Sequence, residues 1–257
     1  YSGHYDRPGE TDHFASLGIR ALRYPVLWEH QEPVQHETID WRWVTKQLDH
    51  IRKKNIIPIA GLLHHGSGPS YTDLVDDDFP IKLSSYAGKV ARQFPWLEFY
   101  TPINEPLTTA RFSGLYGIWY PHKCNEADFI KMLLNQVKGT ILAMHEIRKI
   151  NPDAKLVQTE DLSKTHSTPL LSYQAFFVNE RRWLTYDLLC GKVKPGHFFW
   201  DYFISFGISE KELLFFVENS CPPDIMGFNY YVTSERFLDE KLHLYPLGSH
   251  GGSGRHH

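Results

Sequence analysis

Apolar residues in this chain recur at the helical spacing of three to four in some stretches and at the strand spacing of two in others, and the two patterns alternate. Glu10 to Leu17 reads as a short helix that Gly18 stops. Ile19 to Tyr24 follows as a strand with Ile19, Ala21 and Arg23 on one side, and Pro25 and Trp28 open a loop that runs to Asp40. Asp40 is placed to cap a helix carrying Val44, Leu48 and Ile51. In the next strand, Ile56 to His65, the residues Ile57, Ile59, Gly61, Leu63 and His65 share a side, and alternation turns His64 the other way. A helix near Ile81 to Phe94 leads to the run from Phe99 to Pro106, a strand with Phe99, Thr101, Ile103 and Glu105 on one side. Pro106 has no N–H to donate and disfavours helix at Glu105, so regular pairing ends there.

A long aromatic loop, Leu107 to Asn125, precedes the longest helix, Glu126 to Lys149, whose apolar stripe is Phe129, Leu133, Val137, Ile141, Met144 and Ile147. Lys155 to Asp161 reads as a fourth strand, with Gln158 and Glu160 on one side. A helix over Tyr173 to Leu189 and another opened by the capping box Ser209 to Glu212 precede a fifth strand, Pro223 to Tyr231, in which Gly227, Asn229 and Tyr231 share a face. Strands separated by helices imply parallel, right-handed βαβ units, which fit an open doubly wound sheet or part of a (β/α)8 barrel. Polar residues collect at the C-terminal ends of the strands (Arg23, His65, Asn104, Glu105, Glu160, Asn229 and Tyr231), where both folds keep their sites. No Gly-rich phosphate loop follows any strand, which removes the best signal for a nucleotide fold.

Composition narrows the function classes. The net charge is −3 and no run of Lys or Arg appears, which argues against nucleic-acid binding. Seven Trp, fourteen Tyr and sixteen Phe suit a large core, and also a sugar site, because pyranose C–H faces stack on rings. Cys124, Cys190 and Cys221 are odd in number and widely spaced, which suggests reduced thiols and a cytoplasmic setting. No apolar run is long enough to span a bilayer, and neither a metal nor an organic cofactor is expected. The chain divides into 1–247, the folded portion, and a polar, flexible tail over 248–257.

Several short motifs carry a resemblance. Leu22 to Trp28, Leu63 to Pro69, Asn104-Glu105-Pro106 and Gly227 to Tyr231 resemble, in order, motifs of the second, third, fourth and sixth strands of family 1 glycoside hydrolases, the β-glucosidase family. The resemblance implies a (β/α)8 TIM barrel, apparently incomplete, that takes a small carbohydrate substrate. It implies Glu105 as general acid/base, Asn104 on the sugar 2-hydroxyl, His65 as a sugar-binding histidine, and Arg23 and Tyr231 around the nucleophilic carboxylate, with Asn229 close by. Gly66 stands where the family has Trp. The family's first, seventh and eighth strands, and with them the nucleophile Glu, have no counterpart in this sequence, so a fused or missing C-terminal segment is expected. Similar domains occur joined to a sugar-nucleotide (dTDP-4-dehydrorhamnose) reductase.

The implied reaction is retaining hydrolysis of O-glycosyl bonds, which uses two carboxyl groups about 5–5.5 Å apart. Glu160 and Trp119 join the candidates as pocket residues. Each has a plainer reading. Glu105 also fits a helix cap or an ion-pair partner of Arg23; His65 a satisfied strand-end histidine; Asn229 and Tyr231 a buried hydrogen-bond network; Trp119 the core of a lid. Two other functions compete: a non-catalytic carbohydrate-binding or regulatory domain of a larger sugar-metabolism protein, and an unrelated α/β enzyme that pairs Glu105 with Glu160.

Overall fold

A computed structural model describes residues 9–35, 37–231 and 234–246. Its centre is a curled, all-parallel sheet of five strands: β1 (Ala21–Pro25), β2 (Ile57–Leu63), β3 (Phe99–Ile103), β4 (Lys155–Glu160) and, later in the chain, β6 (Ile225–Phe228), in the order β1-β2-β3-β4-β6. This is an incomplete (β/α) TIM barrel. Helix α1 (Glu10–Ser16) leads into β1, and α2 (Trp28–Gln31) with α3 (Arg42–Lys53) crosses to β2. Helix α4 (Phe79–Gln93) crosses to β3, and α5 (Pro106–Ala110) with α6 (Glu126–Arg148) crosses to β4.

The last crossover is longer. It carries a short strand β5 (Thr165–Ser167) and the helices α7 (Ser172–Arg181), α8 (Leu184–Leu189), α9 (Trp200–Ser205) and α10 (Glu210–Glu218) before reaching β6. Strand β7 (Arg236–Leu238) then pairs with β5 in a separate two-stranded sheet that the periodicity does not predict. The span expected as one helix over Tyr173 to Leu189 breaks into α7 and α8. The loop expected after Trp28 begins as the single turn α2. The loop expected from Leu107 opens with α5 and a π-helical turn, Arg111–Leu115. The expected polar tail, 248–257, lies outside the described residues.

Convex-face residues pack under the helices. Tyr24, Ala60, Leu62, Tyr100 and Leu156 are almost fully buried, with α4 and α6 forming the main layer over them. Gly139 of α6 lets the helices approach closely: a Cβ there would lie 3.1 Å from Leu83 Cδ2 on α4. The register puts Arg23 beside Ile59, Gly61 beside Thr101, Leu63 beside Ile103, and Thr159 beside Gly227, so these residues line the concave face. That face is only partly covered, since Ile57 is 48 % and Ile225 45 % exposed.

The π-turn after α5 is fixed by close backbone contact. A Cβ on Gly114 would lie 2.7 Å from the Cα and 2.8 Å from the N of Phe129 in α6, and backbone atoms cannot yield as a flexible side chain can. Gly114→Ala is therefore expected to destabilise the fold by about 1–3 kcal/mol. The check is the urea unfolding midpoint; an unchanged midpoint would show that the turn does not pack against α6 in this way.

Candidate active site

The site forms where β3 ends. Glu105 follows the strand with φ 47° and ψ 63°, a left-handed conformation rare for a residue with a side chain. Three backbone bonds hold the turn: Asn104 N–H to Leu63 O at 2.9 Å, Glu105 N–H to Thr159 O at 3.2 Å, and Thr109 N–H to Glu105 O at 2.9 Å. Pro106 then starts α5 without needing an N–H partner. The bend lets two successive side chains face the same way. Asn229 Nδ2 donates to both, to Asn104 Oδ1 at 2.9 Å and to Glu105 Oε1 in a short bond.

Asn104 is the hub of the network. Its Oδ1 also accepts from Arg23 Nη1 at 2.8 Å and from Thr159 Oγ1 at 2.9 Å, and Arg23 Nη1 reaches Thr159 Oγ1 at 2.8 Å. With Oδ1 so engaged, the Asn104 amide N–H faces His65 Nε2 at 3.3 Å. That nitrogen must then accept, so the ring carries its proton on Nδ1 and donates to Thr109 Oγ1 at 2.9 Å. Burial, with the charges of His64 and Arg23, pushes His65 down to about 4, so the ring is neutral at ordinary pH. Trp119 lies against it, with ring centroids 4.7 Å apart.

Glu105 is 4 % exposed. Burial raises its carboxyl above the ordinary value; the Asn229 bond opposes this and the charge of Asp161 reinforces it. Burial lowers Arg23, while Glu105 and Tyr231 support its charge. Tyr231 is 59 % exposed at the rim, just past the end of β6. Arg23, His65, Asn104, Glu105 and Asn229 thus form one connected cluster, with Tyr231 and Trp119 at its edge.

Glu160 lies elsewhere. Strand β4 puts Thr159 on the concave face, so Glu160 points to the helix layer rather than into the site, contrary to the inward face assigned from the sequence. It is fully buried, where its Oε1 accepts from Leu107 N–H of α5 at 2.7 Å and from Thr185 Oγ1 of α8 at 2.6 Å. It is the cap of α5, satisfying one of the helix's unpaired N–H groups. A pairing of Glu105 with Glu160 as two solvent-reaching catalytic carboxylates is therefore overturned. His64 differs too: β2 ends at Leu63, alternation lapses, and the two imidazoles pack edge to face with centroids 4.5 Å apart.

Sequence reasoning missed Thr159, Thr109 and Asp161. Placing Thr159 and Asp161 on the side facing the site needs only the other phase of β4. Among the described residues no group of three or more His, Cys, Asp or Glu could hold a metal ion, and no helix is long and apolar enough to cross a membrane.

No protein-family model matches the sequence, and no curated protein does. Solved structures do match in fold. A β-glucosidase from Thermotoga maritima in complex with cyclophellitol superimposes with a TM-score of 0.79 at 15% identity, over 92% of this chain and 55% of that one. The family 1 β-glucosidase from Thermotoga maritima gives 0.77 at 16% identity, over 92% and 55%. The AHE enzyme from Alicyclobacillus herbarius gives 0.74 at 15% identity, over 89% and 54%. The chain has the fold of family 1 β-glucosidases. It spans about half the length of these structures.

Two outcomes test the electrostatics. Burial pushes Glu160 up to about 8 from an ordinary 4.5, so the folded state holds a proton that the unfolded state releases. The stability this gives is fully present below about pH 4.5 and is lost as pH rises through about 8, by up to about 1.4 kcal/mol per pH unit. Glu160→Gln keeps the acceptor and is expected to abolish that slope in urea unfolding; a slope equal to wild type would refute the assignment. For Glu105, Asn229→Ala removes a bond that favours the charged carboxylate. The Glu105 pKa, followed by carboxyl NMR, is expected to rise further; a fall would refute the bond.

Proposed function

We propose that this chain forms the acid/base half of a retaining β-glycoside hydrolase site, with Glu105 as general acid and then general base. The observation that carries the reading is the Glu105 carboxyl, buried at the C-terminal end of a barrel strand, raised in pKa, and hydrogen-bonded by Asn229 beside Asn104, Arg23 and His65. A raised pKa keeps the proton on Glu105 until a leaving oxygen needs it. Once the leaving group departs, the carboxylate can take a proton from the attacking water. Asn104 and His65 lie beside Glu105, where a sugar hydroxyl could replace the 3.3 Å Asn104–His65 contact and would meet a neutral ring rather than a charge. Trp119 and Tyr231 offer faces at the rim. Arg23 supplies the positive charge that would keep a nucleophilic carboxylate ionised, and Tyr231 would help orient it.

In this reading the nucleophile is a Glu from barrel strands outside this sequence, and the domain belongs to a larger sugar-metabolism protein in a reducing, cytoplasmic compartment. Joining to a sugar-nucleotide reductase is one form of that expectation. Cys124, Cys190 and Cys221 are free thiols, in keeping with it.

The second reading is a carbohydrate-binding domain without turnover. The network of Arg23, Asn104 and Thr159 would hold a sugar equally well with no second carboxylate, which is what this reading needs. Both readings are tested on protein carrying every barrel strand. Hydrolysis of 4-nitrophenyl β-glycosides is expected, falling as pH rises through the Glu105 pKa. Glu105→Gln is expected to lower kcat by about 10²–10⁴, and much less for a dinitrophenyl leaving group, which departs without protonation. Equal turnover in wild type and variant would overturn the catalytic reading. Calorimetric sugar binding without turnover would establish the second.

A further inference from the structure

Beside Glu105, away from the Arg23 cluster, three arginines gather around one tyrosine. Arg111 follows α5 in the π-turn, Arg181 ends α7, and Arg236 begins β7. Arg181 Nη2 donates to Tyr116 Oη at 3.3 Å, and Arg111 Nη2 donates to Thr108 Oγ1 at 3.3 Å. Arg181 is 1 % and Arg111 6 % exposed, yet among the described residues Arg181 Nη1 and Arg111 Nε have no hydrogen-bond partner. Arg181 lies instead between aromatic faces, with its guanidinium carbon 5.5 Å from the Phe129 ring centroid and 5.6 Å from that of Phe177. Such rings tolerate the charge but do not neutralise it. Among the described residues no carboxylate lies within salt-bridge distance of Arg111, Arg181 or Arg236.

The charges act on one another. Arg236 is lowered first by burial and then by Arg111, with Arg181 adding to it, while Tyr116 and Asp161 oppose. Burial works to raise Tyr116, yet Arg181, Arg111 and Arg236 together bring it below its ordinary value. Asp161 is the acidic side chain whose charge reaches both Arg236 and Glu105. Buried cations without counter-charge are costly, and orphaned guanidinium N–H groups add to that cost. Guanidinium groups match the geometry of oxyanions, with paired N–H donors for paired oxygens. Arg236 and Tyr116 are partly exposed, which gives the cluster an opening to solvent.

We propose that Arg111, Arg181, Arg236 and Tyr116 form a subsite for an oxyanion, a phosphate or carboxylate carried by the ligand whose sugar lies at Glu105. The sugar part of this statement rests on the function proposed above; the anion subsite rests on the arginines alone.

The test is calorimetric titration of the full chain with inorganic phosphate, with acetate and with methyl β-glucoside. Wild type is expected to bind phosphate or acetate, and the tighter of the two identifies the group as phosphoryl or carboxyl. Arg236→Gln, at the partly exposed start of β7, is expected to weaken that binding at least tenfold, with Arg236→Lys recovering part of it. Asp161→Asn is expected to tighten it by removing a competing charge. Methyl β-glucoside binding should be unchanged in Arg236→Gln. Failure of wild type to bind either anion, or equal anion binding in wild type and Arg236→Gln, would overturn the subsite while leaving the sugar reading standing. Anion binding without glucoside binding would support the subsite and count against the sugar reading. Absorbance near 295 nm showing Tyr116 ionised at pH 7, with no anion bound, would make the phenolate the counter-charge and overturn the subsite.

Discussion

The rim of this half-barrel depends on the backbone turning left-handed at Glu105. A regular strand would send Asn104 and Glu105 to opposite faces, and a single amide such as Asn229 could not bond to both. The turn costs on the order of 1–3 kcal/mol for a residue with a Cβ, so the surroundings must over-determine it. Leu63 O and Thr159 O hold it from the two neighbouring strands, and Thr109 N–H holds it from the helix that follows. Glu160 caps that helix through Leu107 N–H, and Gln136 of α6 donates to Pro106 O at 3.1 Å. The helix layer therefore fixes the position of the carboxyl from behind, while Asn229 fixes it from the front.

That support also explains the charge states. Burial favours the neutral form of each group it covers. Glu105 and Glu160 move up, and His65 and Arg23 move down. The two carboxyls differ in surroundings rather than in kind. Glu160, sealed between α5 and α8, has its Oε2 unpartnered among the described residues and can shed its charge by keeping a proton. Glu105 keeps access to Asn229 and to the concave face, so its shift is moderated by a bond to its charged form. Neutral His65 follows from the same logic, since an imidazolium there would face the positive charge of Arg23.

Much of this was legible in the sequence, for identifiable reasons. The order of strands and helices is clear because Gly18 and Pro106 punctuate it and because the stripe of α6 is long. On four strands the shared side was also read correctly, and the register puts those residues on one concave face. Strand β4 defeated the same method. From Leu156 to Glu160 every residue is buried, so alternation has two equally apolar phases and offers no polar face to choose by. Its pattern puts Glu160 in the wrong phase and gives no reason to single out Thr159 or Asp161. The pair β5 and β7 was invisible for a different reason: each is three residues long, too short for a period to show. The turn at Arg111–Leu115 was hidden by its aromatic content, which reads as loop until Gly114 is set against Phe129.

Strand β4 also decides how the two halves of the rim communicate. Its alternation puts Glu160 behind Glu105 and Asp161 in front, where its charge acts on both Glu105 and Arg236. Burial sets the upward shift of Glu105 and the Asn229 bond opposes it; Asp161 then adds to the shift and Arg111, the smallest contributor, reduces it. An oxyanion held by Arg111 and Arg236 would cancel part of the lowering term and add a negative charge of its own. Glu105 would then hold its proton more tightly when the ligand is in place than when the site is empty. For a general acid this is the useful direction, because protonation is needed at the moment a ligand is bound and is of no use before. The same coupling requires, by reciprocity, that a protonated Glu105 bind the anion more tightly than an ionised one. In that proposal, the carboxyl at the end of β3 and the arginines beyond it would be coupled through Asp161 and Arg111.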